Sequence, residues 1–382
     1  MSAPERTVRF VSKALDAPWN DGSKVLVREL ASELDAFAPH VDARERFPGW
    51  GDRVVVHPPP EATAPLAAHV ARMGQLLRAD PPSVFHFVFA PNLPSSTASR
   101  VVALAHRLRG WRGATVQTIA SRPKSFAGVP RLLFGDVVVC QSEATLQACV
   151  AAGFPAECLR VIPPFLRAPR VSAGRIEALR AGSLIGPAPY VVYPGDLEFS
   201  DGASTFARSI RRIHEVYPRM RFVFACRPKT PKAEEVQRAI AKELAAAGVQ
   251  HLTYHLGEVN DLHALLAGAE AVLFSVDDLY GKIDLPLVLL EAMALGVPVV
   301  ASNHGPLAEL APLPLVPPSD PEALAARAVA ILETEAERVR VGELGRRLFE
   351  ERYTAESGAR AYERVYEEAL TRRGAGRNGA AR

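Results

Sequence analysis

Short apolar runs alternate with amphipathic stretches along most of the chain, and the alternation predicts strands separated by helices. Residues 7–12 (TVRFVS) read as a first strand. A small-residue loop with Asn20, Gly22 and Ser23 leads into a helix through residues 25–31. Residues 83–89 (SVFHFVF) are a second strand, residues 115–121 a third with a polar end, and residues 136–143 and 159–164 two more. Between them, Val101, Leu104 and Leu108 recur at helical spacing inside an Arg-rich stretch, residues 100–112. Residues 168–189 hold a short helix and many turn formers, which suits a linker. The pattern then resumes with strands at 190–195, 221–226, near 252–254 and at 271–275, and helices at 202–216, 234–247 and 260–268. Strands alternating with helices predict parallel sheets, whose ligands lie beyond the carboxyl ends of the strands.

The strongest single pattern is residues 282–302, KIDLPLVLLEAMALGVPVVAS. It predicts a helix, a left-handed stop at Gly296 and a buried strand from Pro298. The helix is apolar on every side, which predicts enclosure by protein. Glu291 sits in its middle. A carboxylate removed from water needs a partner. An Arg, backbone N–H groups or the vicinal hydroxyls of a ribose would each serve, and the residues alone leave these open.

Composition narrows the class. A chain of 382 residues predicts two domains, and an apolar share of 48% predicts a globular one. A net charge of +3 does not mark a nucleic-acid binder. Cys140, Cys149, Cys158 and Cys226 form no CxxC pair and read as thiols of a reducing compartment. No apolar run is long enough to span a bilayer, so the expected location is cytoplasmic. The Arg-rich stretch beside Trp111 leaves peripheral membrane contact open, at the inner face of the membrane.

Residues 291–302, EAMALGVPVVAS, resemble the donor-site signature of retaining glycosyltransferases of the GT-B fold, in particular family 4. The resemblance implies two Rossmann-like, doubly wound α/β domains facing each other across a cleft. It places an acceptor-side domain at residues 1–167, with a C-terminal helix (352–371) packed back on it. A linker at 168–189, a donor domain at 190–351 and a disordered tail at 372–382 complete the expected organisation. It implies transfer of a sugar from a UDP- or GDP-sugar to a sugar, lipid-linked or small-molecule acceptor, with retention. No tightly bound cofactor and no metal is expected. Glu291 then holds the ribose, and Gly195, Gly305, Glu309, Asp284 and Gly22 lie at the donor. Asn20, Ser23, His86, Asn92, Gln117 and Ser121 are the candidates for substrate contacts from the first domain.

Several positions depart from the family pattern. Its first Glu falls at Ile283, its Thr-x-His reads Thr118-Ile119-Ala120, and its diphosphate-binding Gly-Arg-Leu-x-x-x-Lys-Gly loop reads Gly195-Asp196-Leu197-Glu198-Phe199-Ser200-Asp201-Gly202. Two unit charges about 5 Å apart at an effective dielectric of about 20 interact by about 3 kcal/mol, so two acids in place of two cations matter. Arg227, Lys229 and Lys282 are the expected compensating cations, stabilising the leaving diphosphate, with Lys232 nearby. The helix start near Leu285 adds positive potential. The competing readings are a catalytically silent GT-B protein that binds a sugar or partner, and a nucleotide-sugar epimerase on the same scaffold.

Overall fold

A computed structural model describes residues 6–61, 65–182 and 185–380. The chain divides into two compact units. The first gathers the chain up to Leu166 together with Gly281–Asp284 and the C-terminal stretch from Ala355. The second comprises Arg167–Tyr280 and Leu285–Thr354.

In the first unit the order is β1 (Thr7–Val11), α1 (Gly22–Glu33), β2 (Ala38–Asp42), β3 (Val55–His57), α2 (Pro65–Arg78), β4 (Val84–Phe89), α3 (Leu93–Leu108), β5 (Ala114–Ile119), β6 (Val137–Cys140), α4 (Glu143–Ala151) and β7 (Leu159–Val161). All the strands pair in parallel, in the spatial order β3-β2-β1-β4-β5-β6-β7. The order reverses between β1 and β4, which makes the carboxyl ends of those two strands the natural crevice of this sheet. Valines and phenylalanines dominate β4 and valines β6, and every residue of β5 is buried, as a sheet covered on both faces requires.

The second unit runs α5 (Ala173–Gly182), β8 (Tyr190–Tyr193), α6 (Gly202–Val216), β9 (Arg221–Phe224), α7 (Lys232–Ala246), β10 (Thr253–His255), α8 (Leu262–Ala267), β11 (Ala271–Phe274), α9 (Leu287–Ala294), β12 (Val299–Ser302), β13 (Leu315–Val316), α10 (Pro321–Leu332) and α11 (Glu335–Arg352). Its sheet is also parallel, in the order β10-β9-β8-β11-β12-β13, with the switch between β8 and β11. Gly296 ends α9 at φ 72°, the left-handed stop its position predicts.

The last helix, α12 (Ala355–Ala380), belongs to the first unit and packs on α1 and β5. Tyr362 and Tyr366 are fully buried there. Residues 372–380, expected in a disordered tail, continue this helix, while residues 381 and 382 lie outside the described residues. The segment read as a linker belongs to the second unit where it is described. It carries α5, which is tied to the second unit by Arg175, whose guanidinium donates to both oxygens of Asp261 at 2.9 and 2.7 Å.

Candidate functional site

Glu291 is the residue to start from. α9 is not enclosed on every side: Leu289, Leu290, Ala292 and Met293 are buried, while Leu287, Val288, Glu291, Ala294 and Leu295 form a half-buried stripe. That spacing is one helix face. Glu291 therefore stands on the open side of the helix, with its side chain 19% exposed. Among the described residues its side-chain partner is neither an arginine nor a backbone amide. Nε2 of His263, on the first turn of α8, lies 3.2 Å from Oε1. α8 and α9 pack side by side, and this alone brings the two residues together.

The hydrogen bond to Glu291 raises the pKa of His263 above its ordinary value, against the opposing effect of burial. A raised imidazole pKa means the pair contributes fully below the unfolded value, about 6.5, and is lost as pH rises through the folded value. The gap in urea midpoint between wild type and His263→Gln is thus expected to be widest near about pH 5.5 and to close at alkaline pH. A gap of constant size across that range would show that the pair is not what His263 contributes.

The loops beyond β8, β9, β11 and β12 surround the switch point of the second sheet. After β8, Asp196 is 1% exposed and accepts from the N–H of Phe199 at 3.1 Å. Lys229, after β9, places Nζ 3.7 Å from its other oxygen and 5.4 Å from the centre of the Phe199 ring. Glu198 accepts the backbone N–H groups of Lys229 and Thr230 at 2.8 and 2.7 Å, which fastens the two loops together. Asp201 accepts from the N–H of Asp277 at 3.1 Å and from the Thr205 hydroxyl at 3.0 Å, while its own N–H donates to Asp277 at 2.9 Å. The two acids that stand in place of the family's cations, Asp196 and Asp201, are thereby held by groups of the same unit, Asp196 by a candidate compensating cation. Arg227 lies 4.0 Å from Glu258. Gly195 is pressed against its neighbours: a Cβ there would sit 2.3 Å from the Tyr193 ring. Gly305 is the opposite case, at φ 52° with open space where a Cβ would point. Glu309 is half-buried in the same turn, and its carbonyl accepts from Arg352 at 3.3 Å.

Other candidates belong to the first unit. Asp284, expected at the donor, belongs to the first unit and is 2% exposed. It accepts from the Ser142 hydroxyl at 2.5 Å, with Arg122 at 4.0 Å, and burial raises its carboxyl pKa against their pull. Its carboxylate is committed to anchoring residues 281–284 beside α4. Lys282 belongs to this segment too, and its carbonyl accepts from the N–H of Arg122 at 2.8 Å. Ile283, at the position of the missing first Glu, is buried, and its Cγ2 lies 3.3 Å from where a Cβ of Gly22 would be. Protein, rather than open space, therefore meets Gly22.

Two substrate candidates are corrected outright. His86 is fully buried, with Nδ1 2.8 Å from the Tyr366 hydroxyl and Nε2 2.8 Å from the Thr118 hydroxyl. Burial lowers its pKa to about 3, so it is a neutral core histidine. Gln117 is equally buried, its Oε1 accepting from the Phe134 N–H at 2.9 Å. Asn92 caps α3, accepting from Ser95 N–H at 2.9 Å and donating to the Ala90 carbonyl at 2.7 Å. The Ser23 hydroxyl donates to Asp21 at 2.6 Å, beside exposed Asn20 at the start of α1. Ser121 is half-buried just past β5. Of the candidates in the first unit, Asn20, Ser23, Asn92 and Ser121 thus stand near strand ends.

Sequence reasoning missed His263, although a signal existed: helices of consecutive crossovers on one sheet face lie side by side. It also missed the buried cluster in which Asp42 pairs with both Arg9 and Arg72. Among the described residues no group of three or more His, Cys, Asp or Glu is placed to hold a metal ion, and no helix is long and apolar enough to cross a membrane.

Residues 188–334 match the family model of glycosyl transferases group 1. This span includes Gly195, Arg227, Lys229, Glu291, Gly305 and Glu309, and excludes every first-unit candidate before Leu166. Over 135 residues the chain is 36% identical to an MMP alpha-(1->4)-mannosyltransferase of Mycolicibacterium hassiacum. That stretch is 34% of this chain and 32% of the relative. Among solved structures, Anabaena HepE in complex with UDP and glucose is similar at a TM-score of 0.74 and 15% identity, over 95% of this chain and 100% of that one. Sucrose-phosphate synthase from Thermosynechococcus elongatus is similar at 0.72 and 18%, over 96% and 100%. The fold, two parallel-sheet α/β domains, is that of the GT-B glycosyltransferases.

Proposed function

We propose that this protein is a glycosyltransferase that moves a hexose from a UDP- or GDP-linked donor to an acceptor hydroxyl, with retention of configuration and without a divalent metal. The acceptor is a sugar, a lipid-linked glycan or a small molecule. Glu291 carries the reading. It is a carboxylate on the open stripe of an otherwise apolar helix, in the segment that matches the group 1 model. Two vicinal hydroxyls offer it two donors in a plane, and a single imidazole leaves it acceptor capacity for them. Arg227 and Lys229 stabilise the diphosphate as it leaves, acting as preorganised charge. Lys282, on the segment that clusters with the first unit, is the third cation of the proposal. Asn20, Ser23, Asn92 and Ser121 contribute polar contacts to the acceptor. The cysteines, all unpaired, fit a reducing compartment such as the cytoplasm.

Support from relatives is of two kinds. The partial relative is named a mannosyltransferase, and a structure of the same fold holds UDP and glucose. Thermal-shift screening against UDP, GDP, ADP and free sugars, with an assay for nucleoside diphosphate released from nucleotide sugars, tests the proposal. A shift with UDP or GDP together with diphosphate release supports transfer. The silent reading draws on one observation, that the position of the first Glu is a buried isoleucine packed toward Gly22. A nucleotide shift with no release in any donor and acceptor mixture selects it, and no shift at all removes the nucleotide reading altogether.

A further inference from the structure

The outward face of α3 has the chemistry of a surface that rests on a bilayer. Ser96, Ser99, Val102, Ala103 and His106 are its buried side. Leu93, Val101, Leu104 and Leu108 point away from the unit at 69%, 54%, 56% and 81% exposure. From Leu93 to Leu108 this stripe runs about 22 Å along the helix. Exposed leucines occurring singly need no explanation, but a row of them on one helix face does.

Charge decides what covers the row. From residue 81 to residue 135 the chain contains seven Lys or Arg and no Asp or Glu. Arg107 turns inward to Asp136 at 3.0 Å. Arg100 donates to the carbonyls of Arg131 and Leu133 at 2.5 and 3.0 Å, and Arg109 donates to the carbonyl of Leu77 at 2.6 Å. Carbonyl oxygens orient these guanidinium groups without cancelling their charge. Arg112 and Arg131 are exposed nearby. Trp111, expected to share the surface, is instead buried edge-on against Phe85 and donates to the Pro82 carbonyl at 2.7 Å. The exposed face is therefore aliphatic and cationic. We infer that α3 docks on an anionic membrane surface, with Leu93, Val101, Leu104 and Leu108 entering the acyl boundary and the arginines at the headgroups.

Flotation of the full chain with vesicles tests this independently of any donor chemistry. Wild type is expected to float with vesicles containing about 30% phosphatidylglycerol and to remain unbound with pure phosphatidylcholine. Leu104→Ser/Leu108→Ser, at sites exposed enough to leave the melting temperature unchanged, is expected to lower binding about tenfold or more. Arg109→Gln/Arg112→Gln is expected to weaken it in low salt, with the difference closing in high salt. Failure of wild type to float, or equal flotation of the leucine variant, overturns the inference. So does a concentration-dependent dimer in the absence of vesicles that the leucine variant abolishes, because the face is then a protein interface.

Discussion

Glu291→Ala is expected to weaken UDP or GDP binding by about a hundredfold or more, while the protein stays folded. Hydrogen bonds to a charged group are worth about 1.5–3 kcal/mol each, and a ribose diol makes two of them. The stability cost is small by comparison. Its partner among the described residues, His263, has a side chain 39% exposed, and exposed pairs contribute about 0–1 kcal/mol. Calorimetric titration and a melting curve on the same preparations separate the two effects. Glu291→Gln sharpens the comparison, because it keeps the size and one acceptor while removing the charge, and its loss should fall between those of wild type and alanine. Unchanged nucleotide affinity in the alanine variant would mean that the carboxylate serves only His263. A collapse of the fold would mean that it is part of the core despite its open stripe.

The residue that motivates this prediction was legible in the sequence, and its neighbour was not. A lone carboxylate in LVLLEAMAL is conspicuous to any reading of periodicity. Its imidazole partner comes from the preceding crossover helix, and only the packing of α8 on α9 brings it near. The same contrast holds across the fold. The helix expected at residues 202–216 is α6 to the residue, because its apolar face is strongly periodic and glycine opens it. Strands β2 and β3 escaped notice. β2 reads APHVD, with a proline and an acid in five residues, and β3 is only three residues long. What makes β2 a strand is its parallel pairing with β1, and what tolerates Asp42 is the pair of arginines brought to it from β1 and α2.

Periodicity also gives a period without a phase. Val101, Leu104 and Leu108 announce the helix, yet the side that packs against the sheet is the one with Ser96 and Ser99. His86 and Gln117 illustrate the limit for sites. Polar residues in strands looked available to a substrate, but His86 is sealed by two tyrosine-bearing turns of α12, nearly three hundred residues further along the chain. Nor did the sequence show that residues 281–284 leave the second unit for the first. Their attachment depends on Asp284 accepting from Ser142, a contact across 142 positions.

Charge at the acidic loop yields the second large effect, and opposite signs make it decisive. In the proposed donor site Lys229 does two things at once: it attracts the diphosphate, and it neutralises Asp196, which is almost wholly buried. Lys229→Ala removes the attraction and also leaves the diphosphate facing the Asp196 carboxylate without the lysine between them. Each contribution is worth up to about 3 kcal/mol at about 5 Å, so kcat/KM for the donor should fall about a hundredfold or more. Asp196→Asn acts in the reverse direction. The amide oxygen still accepts from the Phe199 N–H, which preserves the turn. With its counterion gone, Lys229 is left to the diphosphate, and the donor KM should fall several-fold, about 1 kcal/mol in binding. Measuring donor KM and kcat for both variants at about 0.05 M and about 0.5 M salt adds a second axis, since only the partly exposed lysine's contribution is screened. If both substitutions depress activity alike and lower the melting temperature together, Lys229 and Asp196 are a structural clasp between two loops, and the leaving diphosphate must be stabilised by other groups.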